Sequence, residues 1–335
     1  MPNVFFHFDE YWWLYGAFTA LVLILVALDL GLFHRTEKAP TQRSAALYSA
    51  LWVFCATIFG FVLYFFTLHE LTYNLRFQGI PGLVPEVQAR RFALQYLTGY
   101  LVEQSLSVDN IFIFVVIFKY FGIELRYQRR ILFWGILGAI FFRAVFIGLG
   151  AFFMQFELVH IIFGALLVIT GIKMSFAPDK EIHPEKNPLV KLLKKFFPVY
   201  PKIESKHFFV RLNRRLHITP LLIALVFLEV TDLLFAIDSV PAIFAITPEP
   251  LIVFTSNIFA ILGLRSLYFL LVGALQKFHV LKYGLSTILI FIGVKMLYLD
   301  RLYGGDFPIS ISLGFIAGVL MLSVMLSILF PKKVA

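Results

Sequence analysis

Five carboxylates lie inside two apolar runs of this chain, and each run is long enough to cross a lipid bilayer. The first run reads Tyr100-Leu-Val-Glu103-Gln-Ser-Leu-Ser-Val-Asp109-Asn110-Ile-Phe-Ile-Phe. The second reads Leu228-Glu229-Val-Thr231-Asp232-Leu-Leu-Phe-Ala-Ile-Asp238-Ser239-Val-Pro241-Ala-Ile-Phe. A charged group at the centre of a bilayer costs at least about 2.5–3.5 kcal/mol, even on the most lenient scale. Acids kept there need partners, and a cation is the natural one. These residues are therefore candidate cation ligands.

Composition agrees with a membrane setting. Hydrophobic residues make up 60% of the chain and charged residues 15%, with a mean hydropathy of +0.86. A soluble domain carries roughly 25% charged residues. The apolar runs are continuous rather than alternating, which excludes a transmembrane β-barrel and implies an all-α polytopic membrane protein. Cys55 is the single cysteine, so neither an intrachain disulfide nor a cysteine metal site can form. Met1 to Glu10 has no basic residue and carries Asp9 and Glu10, unlike the n-region of a signal peptide. The first apolar run is thus expected to stay in the mature protein. The net charge of +9 reads as basic residues clustered on the cytoplasmic side, with no nucleic-acid partner.

Nine apolar runs of helical-span length follow one another: roughly Tyr11–Phe33, Leu47–Leu68, Phe92–Phe118, Ile131–Met154, Leu158–Lys173, Pro220–Ile246, Leu251–Leu275, Tyr283–Leu299 and Phe307–Phe330. Lysine and arginine placement orients them. With the N-terminus outside, every inside loop is basic, whereas the outside turns Gln155–Glu157 and Thr247–Pro250 have no lysine or arginine. This predicts an outside N-terminus, a cytoplasmic C-terminus and a multi-pass membrane protein. The segment from Ser175 to His217 holds five prolines and many lysines, and reads as a cytoplasmic surface loop. Its Lys191-Leu-Leu-Lys194-Lys195-Phe-Phe stretch suits either the lipid headgroup plane or a solvated surface.

The loop separates two similar units. Glu103 and Asp109 align with Asp232 and Asp238, both pairs six residues apart, and Asn110 then matches Ser239. Gly138 to Arg143 parallels Ala260 to Arg265, and Gly171-Ile-Lys173-Met174 parallels Gly293-Val-Lys295-Met296. Three anchors in the same order across three runs predict an inverted 3+3 helix repeat, with a site at the midplane between the units. The expected divisions are an N-terminal two-helix region (1–91), a first repeat (92–174), a basic cytoplasmic loop (175–218), a second repeat (219–299) and a C-terminal helix (300–335).

The chemistry follows from the donor atoms. Glu229 and Asp232, three apart, share a helix face. Asp232 and Asp238, six apart, are well rotated from each other, so they can serve one ion only through a helix break or partners on a second helix. Pro241 leaves the Ile237 carbonyl without its helical donor, the kind of free oxygen that discontinuous transporter helices present to hard cations. No histidine lies at the centre of a run, so carboxylate, amide and hydroxyl oxygens point to Mn²⁺, Mg²⁺, Ca²⁺ or protons. Asn110, Thr231, Ser239 and Asn257 can complete an oxygen shell. Arg143 and Arg265, at equivalent repeat positions, either pair with carboxylates when the ion is absent, tune their protonation, or form fixed ion pairs. Asp29 lies near the inner end of its run, at the edge of any ion path.

At these residues the chain resembles the TerC family of integral membrane proteins, and most closely its pH-responsive, Alx-type members. The resemblance rests on Gly99 to Asn110, on Glu229 to Ala245 and on Thr255-Ser-Asn257-Ile-Phe-Ala-Ile-Leu-Gly-Leu-Arg265, and extends from Asp29 to the last run. It implies an inner-membrane exporter of manganese, with metal on Glu103, Asp109, Asn110, Glu229, Asp232 and Asp238 and Asn257 nearby. It also implies that expression responds to alkaline conditions. Gln104 and Thr231 replace the lysine and serine of some members without removing a carboxylate. The expected partners are a divalent metal cation as cargo, the bilayer, and a proton or sodium counter-ion. No resident cofactor and no enzymatic activity are expected, and no ATP-binding P-loop pattern is present.

Overall fold

A computed structural model describes residues 4–33, 41–154, 156–176, 195, 197–200, 207–212, 215–272, 280–304 and 307–330, without the side chains of residues 29–33 and of Asp109. Nine helices of 14 residues or more are formed among these residues: α1 (Phe8–Phe33), α2 (Gln42–Tyr73), α3 (Pro85–Tyr120), α4 (Leu125–Phe153), α5 (Glu157–Phe176), α6 (Pro220–Phe244), α7 (Pro250–Leu271), α8 (Leu281–Val294) and α9 (Ile309–Leu329). Helices are the natural outcome, because a segment in lipid must satisfy its own backbone polar groups. Proline opens α3, α6 and α7, where its fixed φ suits the first turn and its missing N–H goes unneeded. Thr41 caps α2 by accepting the Ser44 N–H.

Eight of these helices are long and apolar enough to cross a membrane. The run expected over Tyr283–Leu299 is helical throughout but changes type: α8 passes directly into a π-helical turn at Lys295–Leu299 and a last helical turn at Asp300–Leu302, which leaves α8 itself only 14 residues long. The first five expected runs are extended at one or both ends, as where α3 begins at Pro85 and ends at Tyr120, whereas α6, α7 and α9 are a little shorter than the runs expected for them. Helix α6 runs unbroken through Pro241 to Phe244, so the proline does not divide it in two. The basic loop differs from the expectation at its C-terminal end, where Phe209–Leu212 (β1) and Arg215–Ile218 (β2) pair as an antiparallel hairpin. Most of the Lys191–Phe197 stretch lies outside the described residues.

The axis of the bundle is α7, buried at every residue from Leu251 to Ser266. Around it, α3 packs on α7 and α4 packs on α6, while α3 meets α6, α4 meets α7 and α5 meets α8. The approach of α5 to α8 depends on glycine. A Cβ on Gly293 would stand 2.7 Å from the Gly164 carbonyl oxygen, inside van der Waals contact. Helices α1, α2 and α9 lie outside and carry large exposed apolar side chains such as Leu23, Phe61 and Leu322, the surface expected to face lipid.

The turn between α6 and α7 is tied from several sides. Lys295 Nζ donates to the Ala245 carbonyl at 2.7 Å, Gln95 Nε2 donates to the Ile246 carbonyl at 3.4 Å, and Thr247 Oγ1 donates to Gln95 Oε1 at 2.9 Å. Glu249, with 1% of its surface exposed, accepts the backbone N–H groups of Phe5 and Phe6 at 2.8 and 3.1 Å. The N-terminal segment is thereby fastened to the mouth of α7.

Candidate functional site

Four helices converge on one buried guanidinium. Arg143 comes from α4, Glu103 from α3, Asp232 and Ser239 from α6, and Asn257 from α7. Asp232 and Ser239 are seven residues apart, two helical turns, and so share a face. Arg143 Nε and Nη2 donate to the two Asp232 oxygens at 3.3 and 3.1 Å, a bidentate fork. Arg143 Nη1 donates to Glu103 Oε1, and also to Asn257 Oδ1 at 2.9 Å and Ser239 Oγ at 3.3 Å. Asn257 Nδ2 donates to Glu103 Oε2 at 3.3 Å, closing the ring. Arg143 is 1% exposed, Glu103 and Asn257 0%, and Asp232 4%.

Such a cluster holds together only if complete. Breaking a buried ion pair by removing one partner is strongly destabilising, because the remaining charge has no water to turn to. Asp232 also borders a small cavity lined by Gly135, Leu228 and Arg265, among others, so Arg265 lies beside the cluster from the α7 side.

The other expected residues fall into distinct positions. Glu229 lies one turn before Asp232, partly buried, with its carboxylate against Gly138 of α4. A Cβ at Gly138 would collide with that carboxylate, so the glycine makes its room. Its Oε2 is buried without a hydrogen-bond partner. Asp238 turns away from the cluster towards α5, where Thr170 Oγ1 donates to it at 3.2 Å. Asn110 is buried on α3, two turns from Glu103. Thr231 spends its hydroxyl on the Phe227 carbonyl of its own helix at 2.7 Å. Pro241 lies near the end of α6. Asp109 lies on α3 and Asp29 on α1, with side chains outside the described residues. Among the described residues no three His, Cys, Asp or Glu side chains are grouped to hold a metal ion. The oxygens that do converge, on Glu103, Asp232, Ser239 and Asn257, are gathered on the positive charge of Arg143.

Three participants were not singled out from the sequence. Thr170 is one residue before the Gly171 anchor, and Gly138 opens the anchor that ends at Arg143. Glu249 sits between Pro248 and Pro250, outside the helices, and burial pushes its carboxyl up to about 7 against the pull of the Phe5 and Phe6 amides and of Arg76.

The chain is similar throughout to known membrane proteins. A 317-residue stretch is 45% identical to "Uncharacterized membrane protein STKORF319" of Myxococcus xanthus, covering 94% of this chain and 92% of that protein. A 312-residue stretch is 42% identical to "Putative membrane-bound redox modulator Alx" of Escherichia coli strain K12, covering 92% of each. "Uncharacterized membrane protein" of Rickettsia bellii is 38% identical over 280 residues, 83% of this chain and 86% of that one. No solved structure matches. The family model described as "Integral membrane protein TerC family" matches residues 88–335, and the chain belongs to that family.

Proposed function

We propose that the chain is a secondary-active transporter of divalent cations that exports Mn²⁺ from the cytoplasm through the Glu103–Asp232 site. The observation that carries this reading is the site's own occupant. Two carboxylates, an amide oxygen and a hydroxyl from three helices converge on one cationic group in the buried interior of the bundle. Oxygen donors of this kind suit Mn²⁺, Mg²⁺ or Ca²⁺, and the family resemblance favours manganese over calcium. Glu103 and Asp232 occupy equivalent places in the two proposed units, 92–174 and 219–299. The pairing of helices supports the repeat: exchanging α3, α4 and α5 for α6, α7 and α8 turns the α3–α7 contact into the α6–α4 contact and leaves α5–α8 as it is. Rocking of the units about that axis would open the site first to the cytoplasm and then outward, in a nine-span, N-outside arrangement in the inner membrane. A proton or sodium ion entering from outside is the proposed counter-ion, and the chain is read as a carrier rather than an enzyme or a scaffold.

The test is Mn²⁺ uptake into everted vesicles, with Ca²⁺ and Mg²⁺ in parallel. Glu103→Gln and Asp232→Asn should each abolish Mn²⁺ flux while the protein still inserts. Flux at the wild-type rate in either variant overturns the site, and flux of Ca²⁺ in preference to Mn²⁺ reassigns the cargo.

A further inference from the structure

We propose that Arg143 is the exchanging cation of this site: it holds the oxygens when no metal is bound and moves to Glu229 when the metal enters. The proposal rests on the reading of Glu103 and Asp232 as cargo ligands. The first observation is occupancy. The guanidinium fills the place a cation needs, hydrogen-bonded to both carboxylates and to the Ser239 and Asn257 oxygens. An arginine side chain keeps its charge at all accessible pH values, so a second cation cannot share these oxygens without electrostatic conflict. The metal must therefore displace it.

The second observation is a destination. Glu229 Oε2 is buried and has no hydrogen-bond partner. Glu229 is three residues before Asp232 on α6, about 4.5 Å along the helix and on the same face. Its carboxylate rests on Gly138, five residues before Arg143 on α4. Long side chains on a helix lean over the turn that precedes them, which directs Arg143 towards Gly138 and so towards Glu229. The two helices run the same way, since Gly138 meets Glu229 and, further along both, Gly150 meets Phe244. A change of side-chain torsions within one turn thus carries the guanidinium from Asp232 to Glu229, without leaving a buried positive charge unpaired.

The exchange also completes the charge balance of the cavity: Glu103, Asp232, Glu229 and Arg143 together carry two negative charges, which a divalent ion cancels. With Arg143 in place, Glu103 and Asp232 sum with it to one negative charge. With a divalent ion in place and Arg143 on Glu229, both groups are neutral. Arg143 is in this view a built-in competitor that keeps the cargo from binding too tightly to leave.

Mn²⁺ binding to the purified full-length chain in detergent, read by the EPR signal of free Mn²⁺, tests this. Arg143→Gln should bind Mn²⁺ at least on the order of tenfold tighter than wild type, the value of one charge-assisted hydrogen bond no longer competing. Arg143→Lys keeps the buried charge but loses the fork, so it should fold if Arg143→Gln does not and bind with intermediate affinity. An arginine that only braces the helices predicts the opposite order, with both variants weaker than wild type, and that result overturns the proposal. Glu229→Gln should weaken binding in wild type, weaken it less in Arg143→Lys, whose charge still needs a destination, and have no effect in Arg143→Gln, where no charge is displaced. An equal loss in both backgrounds makes Glu229 a metal ligand and removes it as the destination. If Glu103→Gln and Asp232→Asn leave Mn²⁺ binding intact, the site reading itself fails; if they abolish it while the arginine variants bind no tighter, only the exchange fails.

Discussion

Two acids of this protein are equally removed from water and are kept by opposite means. Glu103, at 0% exposure, lies in mid-bundle and is neutralised by a guanidinium from another helix. Glu249, at 1%, sits at the mouth of α7 and is held by two backbone amides of the N-terminal segment. An arginine brings a whole charge on a flexible stem, so its pairing can be broken and remade elsewhere. Amides bring partial charges on a fixed backbone, so the Glu249 carboxyl answers burial by holding its proton to higher pH instead. The inner arrangement is suited to exchanging one cation for another. The outer one is suited to fastening the chain.

The largest effect should come from taking away the arginine. Arg143→Ala leaves Glu103 and Asp232 buried with no counter-charge, a loss of about 3–5 kcal/mol. It should appear as a lowered apparent Tm in detergent, and adding Glu103→Gln to the same chain should restore part of it. If the single variant melts like wild type, the arginine is not what neutralises Glu103 and the contrast with Glu249 collapses.

The contrast sharpens with pH. The Glu249 carboxyl is raised from 4.5 to about 7. Between those values the folded chain holds a proton that the unfolded chain has lost, so this group makes stability fall as pH rises through the window and then level off above it. The span of the shift corresponds to something on the order of 3 kcal/mol. Glu249→Gln keeps a carbonyl oxygen for the Phe5 N–H and has nothing to titrate. Its apparent Tm should match wild type near pH 5 and exceed it near pH 8. Parallel curves for the two proteins across that range would show that the outer acid is neutralised by charge after all.

Much of the inner region was legible before the fold was known, and the outer region was not. Acids in apolar runs stand out because they oppose the composition around them. The equal spacing of Gly138 and Arg143 with Ala260 and Arg265 marked Arg143 as a special position. Which acid meets which partner was not legible. Arg143 and Asp232 are 89 residues apart in sequence, and only the packing of α4 on α6 brings them together. The rotation between Asp232 and Asp238 meant that they could serve one ion only through a helix break or partners on a second helix; in the structure one faces Arg143 and the other Thr170. Pro241 suggested a broken helix, but α6 runs through it and continues to Phe244. Glu249 carries no local signal, being an acid in a turn between two prolines, outside the apolar runs. Its burial depends on the first residues of the chain folding back over it, a contact 243 and 244 residues long in sequence that no local pattern announces.

Asp238 gives the smallest effect and the finest test of the comparison, because it uses neither device. It has one hydrogen bond, from Thr170, and is only partly buried. A hydrogen bond to a charged group is worth roughly 1.5–3 kcal/mol where water is absent. Where water can replace the lost donor, most of that returns. Thr170→Val, which keeps the shape and removes the hydroxyl, should therefore lower the apparent stability by less than about 1 kcal/mol. The same substitution should leave the Mn²⁺ binding proposed for the Arg143 cluster unchanged, since Asp238 faces α5 rather than the guanidinium. A loss as large as that of Arg143→Ala would mean that Asp238 is as dependent on its single partner as Glu103 is on its arginine. Partial exposure would then be no third way of keeping an acid in this bundle, and the division between exchanging and fastened carboxylates would have to be redrawn around Thr170.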